Sequence, residues 1–221
     1  MQQNIFITGG TGYIGSRLIK ILLKENTYHI KALVRKSSEN KIPAGCEIIF
    51  GNALDAETYK DKIDSNCIFI HLIGVPHPSP AKKEAFKQID LVSIQQAVKA
   101  AAFAQVQHFI YLSVSQYPTS IMKDFQNVRA EGESLLQLSG MKCSFVRPWY
   151  VLGPGHWWPI LLKPFFWLSK ITGFKKEAAE NLDTISIQQM IDTLVYATKT
   201  LPATINIYNV KDIKGKNLGK V

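Results

Sequence analysis

Short apolar runs separated by amphipathic stretches set the rhythm of this chain. Asn4-Ile5-Phe6-Ile7-Thr8 is almost continuously apolar and runs into glycines, the pattern of a strand buried on both faces of a parallel sheet. From Ile14 the apolar residues recur at Leu18, Ile21 and Leu22, with Lys20 and Lys24 turned away, which is one face of a helix. His29 to Val34, Glu47 to Phe50, Cys67 to Leu72, Phe109 to Ser113 and Cys143 to Val146 read as further strands, and Ile205 to Val210 as an edge strand. Helical patterns lie between most of them. The clearest runs from Lys82 to Phe103, where Phe86, Ile89, Ile94, Ala97, Val98 and Ala101 share a face, and another covers Ile187 to Lys199. Strands alternating with helices predict an α/β fold: a Rossmann-type doubly wound parallel sheet with helices on both faces, joined by right-handed crossovers.

One segment departs from this rhythm. Residues 153–174 begin Gly-Pro-Gly-His-Trp-Trp-Pro and hold Trp157, Trp158 and Trp167, three of the four tryptophans, with Phe165 and Phe166. Pro159, Lys163 and Pro164 interrupt it too often for a membrane-spanning helix. A lid over a substrate, a core helix, and a surface that rests on a membrane or a partner protein all remain open.

With 221 residues the chain can bury one sizeable core, so residues 1–221 are expected to form a single domain with 153–174 as its aromatic appendage. The formal charge of +9 calls for an anionic partner without naming it. No helix-turn-helix, zinc-finger or RNA-binding signature accompanies it, and no nucleic-acid partner is expected. Cys46, Cys67 and Cys143 fall in or beside apolar strands without CxxC spacing, as reduced core thiols do. The N-terminus enters an apolar strand directly, with no basic, apolar and small-residue leader, so a cytoplasmic location is expected.

The chemistry begins at Thr8-Gly9-Gly10-Thr11-Gly12-Tyr13-Ile14-Gly15, between the first strand and the first helix. A pyrophosphate needs backbone N–H donors at close range and a positive helix end, and a side chain at the turn would hold it away. Gly9 and Gly12 permit the turn and the approach; Gly15 lets the helix pack near the strand. The second strand ends Leu33-Val34-Arg35-Lys36-Ser37, with no acid to hold the adenosine ribose. A guanidinium there suits a 2′-phosphate, which favours NADP(H) over NAD(H). Asn52 and Ala53 after the third strand, and Leu72 and Gly74 after the fourth, stand at carboxyl ends where ligands of such sheets bind. There the Asn52 amide is a candidate for the adenine, and Gly74 would let the backbone approach the cofactor. His71 and His77 lack companion ligands, so no metal is expected.

With Phe109-Ile110-Tyr111-Leu112-Ser113-Val114-Ser115 and Val146-Arg147-Pro148-Trp149-Tyr150-Val151-Leu152-Gly153-Pro154-Gly155, these motifs resemble the short-chain dehydrogenase/reductase superfamily over nearly the whole chain. They are similar to its extended and atypical branches: NAD-dependent epimerase/dehydratase, NmrA-like and complex I NDUFA-type proteins. The resemblance implies that the segment from Val146 borders nicotinamide and substrate, which brings in Pro148. It also implies a Tyr-x-x-x-Lys pair on the helix that here reads Phe125-Gln126-Asn127-Val128-Arg129. Phe125 has no proton to give, and Arg129 stays charged, although it can still bind ribose hydroxyls or a phosphate. Ser113, Ser115 and Tyr150 are the remaining catalytic candidates, with Tyr117 behind them. The cofactor-binding set is Gly9, Thr11, Gly12, Tyr13, Ile14, Gly15, Arg35, Lys36, Asn52, Ala53, Leu72, Gly74, Arg129 and Pro148.

Two functions follow as expectations. One is an NADPH-dependent reductase of a flat apolar or aromatic acceptor, such as a quinone, flavin or enone, which delocalises charge after hydride transfer. The other is a non-catalytic dinucleotide-binding sensor, regulator or assembly factor. A nucleotide-sugar epimerase ranks behind both, because it leans most on the absent tyrosine.

Overall fold

A seven-stranded, all-parallel sheet is the frame of the protein in the computed structural model, which describes residues 2–119, 122–155 and 180–215. In chain order the strands are β1 (Gln3–Thr8), β2 (Tyr28–Val34), β3 (Glu47–Phe50), β4 (Ile68–His71), β5 (His108–Leu112), β6 (Cys143–Val146), β7 (Tyr150–Leu152), β8 (Thr184–Ser186) and β9 (Ile205–Tyr208). The sheet order is β3-β2-β1-β4-β5-β6-β9; β7 and β8 form a separate parallel pair. The order reverses at β1, so the crevice outside the carboxyl ends of β1 and β4 is where this topology binds ligands.

The helices are α1 (Gly15–Lys24), α2 (Lys83–Ala85), α3 (Val92–Ala104), α4 (Lys123–Leu138), α5 (Ile187–Lys199) and α6 (Val210–Lys214). Period-two alternation sorts even the continuously apolar strands into two chemically distinct faces. Ile5, Ile7, Ile30, Ile68, Ile70 and Ile110 meet Leu18, Ile19 and Leu22 of α1 and Met190, Ile191 and Leu194 of α5. Phe6, Phe69, Phe109 and Phe145 face α3 and Leu136 of α4. Strand register brings Phe6 opposite Phe69 and Phe69 opposite Phe109, with ring centroids 5.4 and 4.9 Å apart. The rings need small neighbours, and α3 supplies Ala97, Ala100 and Ala101.

Two expectations change here. The helix predicted from Lys82 to Phe103 is not uniform: Phe86–Leu91 is π-helical between α2 and α3. Ile89, expected on the inner face, is exposed, while Asp90, four residues from both Phe86 and Ile94, is fully buried on that face. The edge strand stops at Tyr208 rather than Val210, because Asn209 and Asp212 form a capping box that starts α6. Of the cysteines, Cys143 lies in β6 and Cys67 is buried just before β4, while Cys46 is half-buried; all three are free thiols. The aromatic segment falls largely on residues 156–179, outside the described residues.

Candidate functional site

The start of α1 carries no side-chain cap. Ile14 at its N-cap makes no side-chain capping bond, and no acidic residue stands in the first turn. The α5 start, by contrast, is closed by a capping box in which Ser186 accepts from the Gln189 N–H and the Gln189 side chain accepts from the Ser186 N–H. An uncapped N-terminus keeps its N–H groups and positive dipole end for an anion. The loop before it is shaped by contact with its neighbours. Gly9 has φ of +79°, and a Cβ there would lie 2.8 Å from the Leu72 carbonyl carbon; a Cβ on Gly15 would strike the Gly9 carbonyl oxygen. Gly12 N–H closes the turn onto Gly9 O at 3.0 Å. These features fit a dinucleotide pyrophosphate, held by main chain at the α1 start.

Gly9, Gly12, Tyr13, Ile14 and Gly15 form one end of a cavity of about 320 Å3. Leu72 and Gly74 continue it from β4, Leu112, Ser113 and Val114 from β5, Met122, Phe125 and Arg129 from α4, and Pro148, Trp149, Tyr150 and Val151 from the segment after β6. The loop Val75-Pro76-His77-Pro78 lies over the same space. Thr11, Arg35, Lys36, Asn52, Ala53 and Ser115 do not line it. Arg35 and Lys36 are exposed at the carboxyl end of β2, where Arg35 caps a 3-10 turn over Lys36–Lys41. Asn52 turns its amide oxygen to the Leu54 N–H at 3.0 Å, so that acceptor serves its own loop.

At the far end, Arg129 is 4% exposed and donates to Leu112 O at 3.0 Å, Ile73 O at 3.1 Å and Asp90 Oδ1 at 2.5 Å. Burial opposes its charge, but Tyr111 and Asp90 more than offset that, so its pKa lies above the usual guanidinium value. Asp90 Oδ2 in turn accepts the Val75 N–H at 3.0 Å. The pair thus braces the ends of β4 and β5 and the loop that follows β4. This changes the expected role of Gly74: a Cβ there would overlap Arg129 Nη2, so the space beside it holds a guanidinium rather than an approaching cofactor. Arg129 Nε is buried and has no hydrogen-bond partner among the described residues. Phe125 packs on Phe86 at 5.0 Å and lies 5.1 Å beneath the Arg129 guanidinium.

Behind this pair sits His71, fully buried, with Thr8 Oγ1 2.8 Å from Nδ1 and Ser93 Oγ 3.3 Å from Nε2. Burial, with the Arg129 charge adding to it, pushes its pKa down to about 3, so it is a neutral structural imidazole. The two serine candidates separate. Ser113 is 4% exposed, lines the cavity, and its hydroxyl has no partner among the described residues. Ser115 donates to Asn181 O at 2.9 Å and accepts from the Tyr117 N–H at 3.4 Å, a backbone role. Tyr150 lines the cavity beside Trp149, and burial raises its phenol pKa. Its segment is held by Arg147, which binds Glu133 of α4 through Nε at 2.8 Å and through Nη2.

Asp90, Val75, His77 and Met122 escaped sequence reasoning. The acid inside an apolar helical stretch was the one available signal: Asp90 stands four residues from both Phe86 and Ile94, on the face that the stretch buries.

Comparison with known proteins agrees with this geometry. A family model described as NAD(P)H-binding matches residues 9–151. An uncharacterised sugar epimerase, YhfK, of Bacillus subtilis is 24% identical over 153 residues, 66% of this chain and 71% of that protein. A 4-hydroxy-2-methyl-3-oxo-4-farnesyl-3,4-dihydroquinoline-1-oxide ketoreductase of Stigmatella aurantiaca is 26% identical over 135 residues. That match covers 60% of this chain but only 36% of the ketoreductase. Among solved structures, the UDP-glucuronic acid 4-epimerase of Bacillus cereus in complex with NAD superposes with a TM-score of 0.67 at 19% identity, covering 94% of this chain and 77% of the epimerase. The UDP-glucose 4-epimerase of Thermotoga maritima gives 0.69 at 15% identity, with coverages of 94% and 77%. At such identities the superpositions speak for the fold, and the family model speaks for the ligand class. With the sheet order and the glycine loop at the α1 start, they place the chain in the NAD(P)H-binding family.

Proposed function

We propose that the protein is an NADPH-dependent reductase of a conjugated carbonyl acceptor of the quinone, flavin or enone kind. The observation that carries this reading is the cleft beyond the glycine loop. Val75, Met122, Phe125 and Trp149 make its walls apolar, and the buried Ser113 hydroxyl is left to a ligand. Bound NADPH supplies the hydride. Gly9, Gly12 and the α1 start would hold its pyrophosphate, Arg35 with Lys36 would receive the 2′-phosphate, and Arg129, which lines the cavity, would stand near the ribose. Ser113 orients the acceptor's oxygen by hydrogen bonding, and the apolar walls exclude water from the reacting face. The ketoreductase resemblance, over its limited span, supports a quinoline- or quinone-like acceptor.

A second reading, a dinucleotide-binding sensor or assembly factor, draws support from Phe125 and from an Arg129 committed to Asp90. Turnover separates the two. Purified protein mixed with NADPH and a panel of quinones and flavins should consume nicotinamide absorbance at 340 nm; tight binding with no consumption favours the sensor. For the cofactor, Arg35→Asp should weaken NADPH binding about 10- to 100-fold and leave NADH nearly unchanged, as loss of charge-assisted hydrogen bonds to phosphate requires. Equal NADPH and NADH affinities in the parent would reject the NADP assignment.

A further inference from the structure

Loss of the family tyrosine leaves open the source of the proton. Among the described residues, the titratable side chains that line the cavity are Tyr13, His77, Arg129 and Tyr150. Arg129 is held by Asp90 and two carbonyls and stays charged at any ordinary pH. Tyr13 belongs to the glycine loop, at the pyrophosphate end. Tyr150 is half-buried, which disfavours its ionised form. His77 alone belongs to a side-chain type that exchanges protons near neutrality.

The chain takes trouble to hold it there. His77 adopts φ of +50°, a left-handed conformation that residues with a Cβ seldom enter. Lys82 reaches back to hold the loop in that shape, its Nζ donating to Pro76 O at 2.6 Å and His77 O at 3.0 Å. Pro76 and Pro78 flank the histidine and stiffen it. The loop's base is tied to Asp90 through the Val75 N–H, so the pair that braces Arg129 also anchors His77.

We propose that His77 is the proton donor of the cleft, standing in from the loop after β4 for the tyrosine that α4 lacks. The assignment rests on the reductase reading above. The step balances as a two-electron reduction. The acceptor carbon gains a hydride from reduced nicotinamide, which ends oxidised; the carbonyl π pair moves to oxygen; and that oxygen takes the imidazolium N–H proton. The ring, exposed at the cleft mouth, regains its proton from solvent. Among the described residues, Lys82 on its own loop and Tyr13, Tyr150 and the Arg129–Asp90 pair across the cleft are charged or titratable groups that share this site.

His77→Asn tests this, because asparagine tolerates a positive φ and does not titrate near neutrality. With NADPH and 9,10-phenanthrenequinone, kcat should fall about 100-fold. KM and NADPH affinity should stay within about 2-fold, and the pH profile of kcat should change shape. In His77→Gly, added imidazole should restore turnover, which a merely structural histidine would not allow. Binding is read separately, by following the His77 imidazole resonances in parent protein saturated with NADP+: adding the quinone should move them. A His77→Asn enzyme with the parent's rate and pH profile overturns the assignment. If the parent binds NADPH but reduces no acceptor, the reductase reading fails, and with it the proton transfer. Ring resonances that ignore the quinone then exclude His77 from the ligand site as well.

Discussion

At the glycine loop the groups offered to a ligand are main-chain amides; across the same cleft, at α4 and the loop after β4, they are side chains. At the first end Gly9 and Gly15 leave no room for a Cβ, because the main chain of Leu72 and of Gly9 itself already occupies the space it would need. The second end is built from side chains: Phe125 and Arg129 of α4 line it, and Asp90 pairs with the buried guanidinium. A ligand site built from backbone is bound to its fold, whereas one built from side chains can be refitted within the fold.

The sharpest way to break this contrast is to remove the counter-charge. Asp90→Leu should cost about 3–5 kcal/mol in urea unfolding, since it strands a buried guanidinium. The double variant Asp90→Leu/Arg129→Met should recover most of that. Equal losses in both would mean that the pair is not a unit. At the other end, Gly15→Ala forces α1 away from Gly9 and should cost about 3 kcal/mol of nucleotide affinity, roughly 100-fold in Kd by calorimetric titration. An unchanged Kd would show that the anion is not held there.

Acid should act on the frame rather than on either end. Burial lowers the His108 pKa to about 4, where it lies 2.9 Å from Ser144 Oγ, and burial with Arg129 lowers that of His71 to about 3. The unfolded chain binds these protons near pH 6.5 and the folded chain does not. Stability is therefore full above pH 6.5 and declines as pH falls, levelling off only below the folded values. At pH 5 each histidine should cost about 2 kcal/mol relative to pH 7. His108→Gln should flatten the pH dependence of the urea midpoint, and a profile as steep as the parent's would contradict a neutral His108.

The smallest expected effects distinguish the serines. Ser115→Ala should lose about 1 kcal/mol of stability, through the hydrogen bond to Asn181 O that it removes, and little turnover. Ser113→Ala, which removes a hydroxyl with no partner among the described residues, should leave stability within about 0.5 kcal/mol while slowing turnover. The reverse pattern would exchange their roles.

Much of this was legible in the chain itself, and the reason is locality. Strands of four to seven apolar residues and a glycine triplet between strand and helix state their conformation within a dozen positions, so the parallel sheet and the loop could be read directly. The isoleucine and phenylalanine faces follow from the same period of two. The α4 pair was partly legible: Phe125-x-x-x-Arg129 announced that the tyrosine was gone, but not what would answer the arginine's charge. That answer is Asp90, 39 residues away in sequence and brought to Arg129 only by tertiary packing. Likewise, nothing within Val75-Pro76-His77-Pro78 says that Lys82 will fold back onto two of its carbonyls or that the histidine will face the cleft. Sequence by itself determined the elements whose stability is settled within one helix turn or one strand pleat. Tertiary structure alone decided which buried charges meet, because an ion pair's worth depends on burial and distance, quantities that no single segment carries.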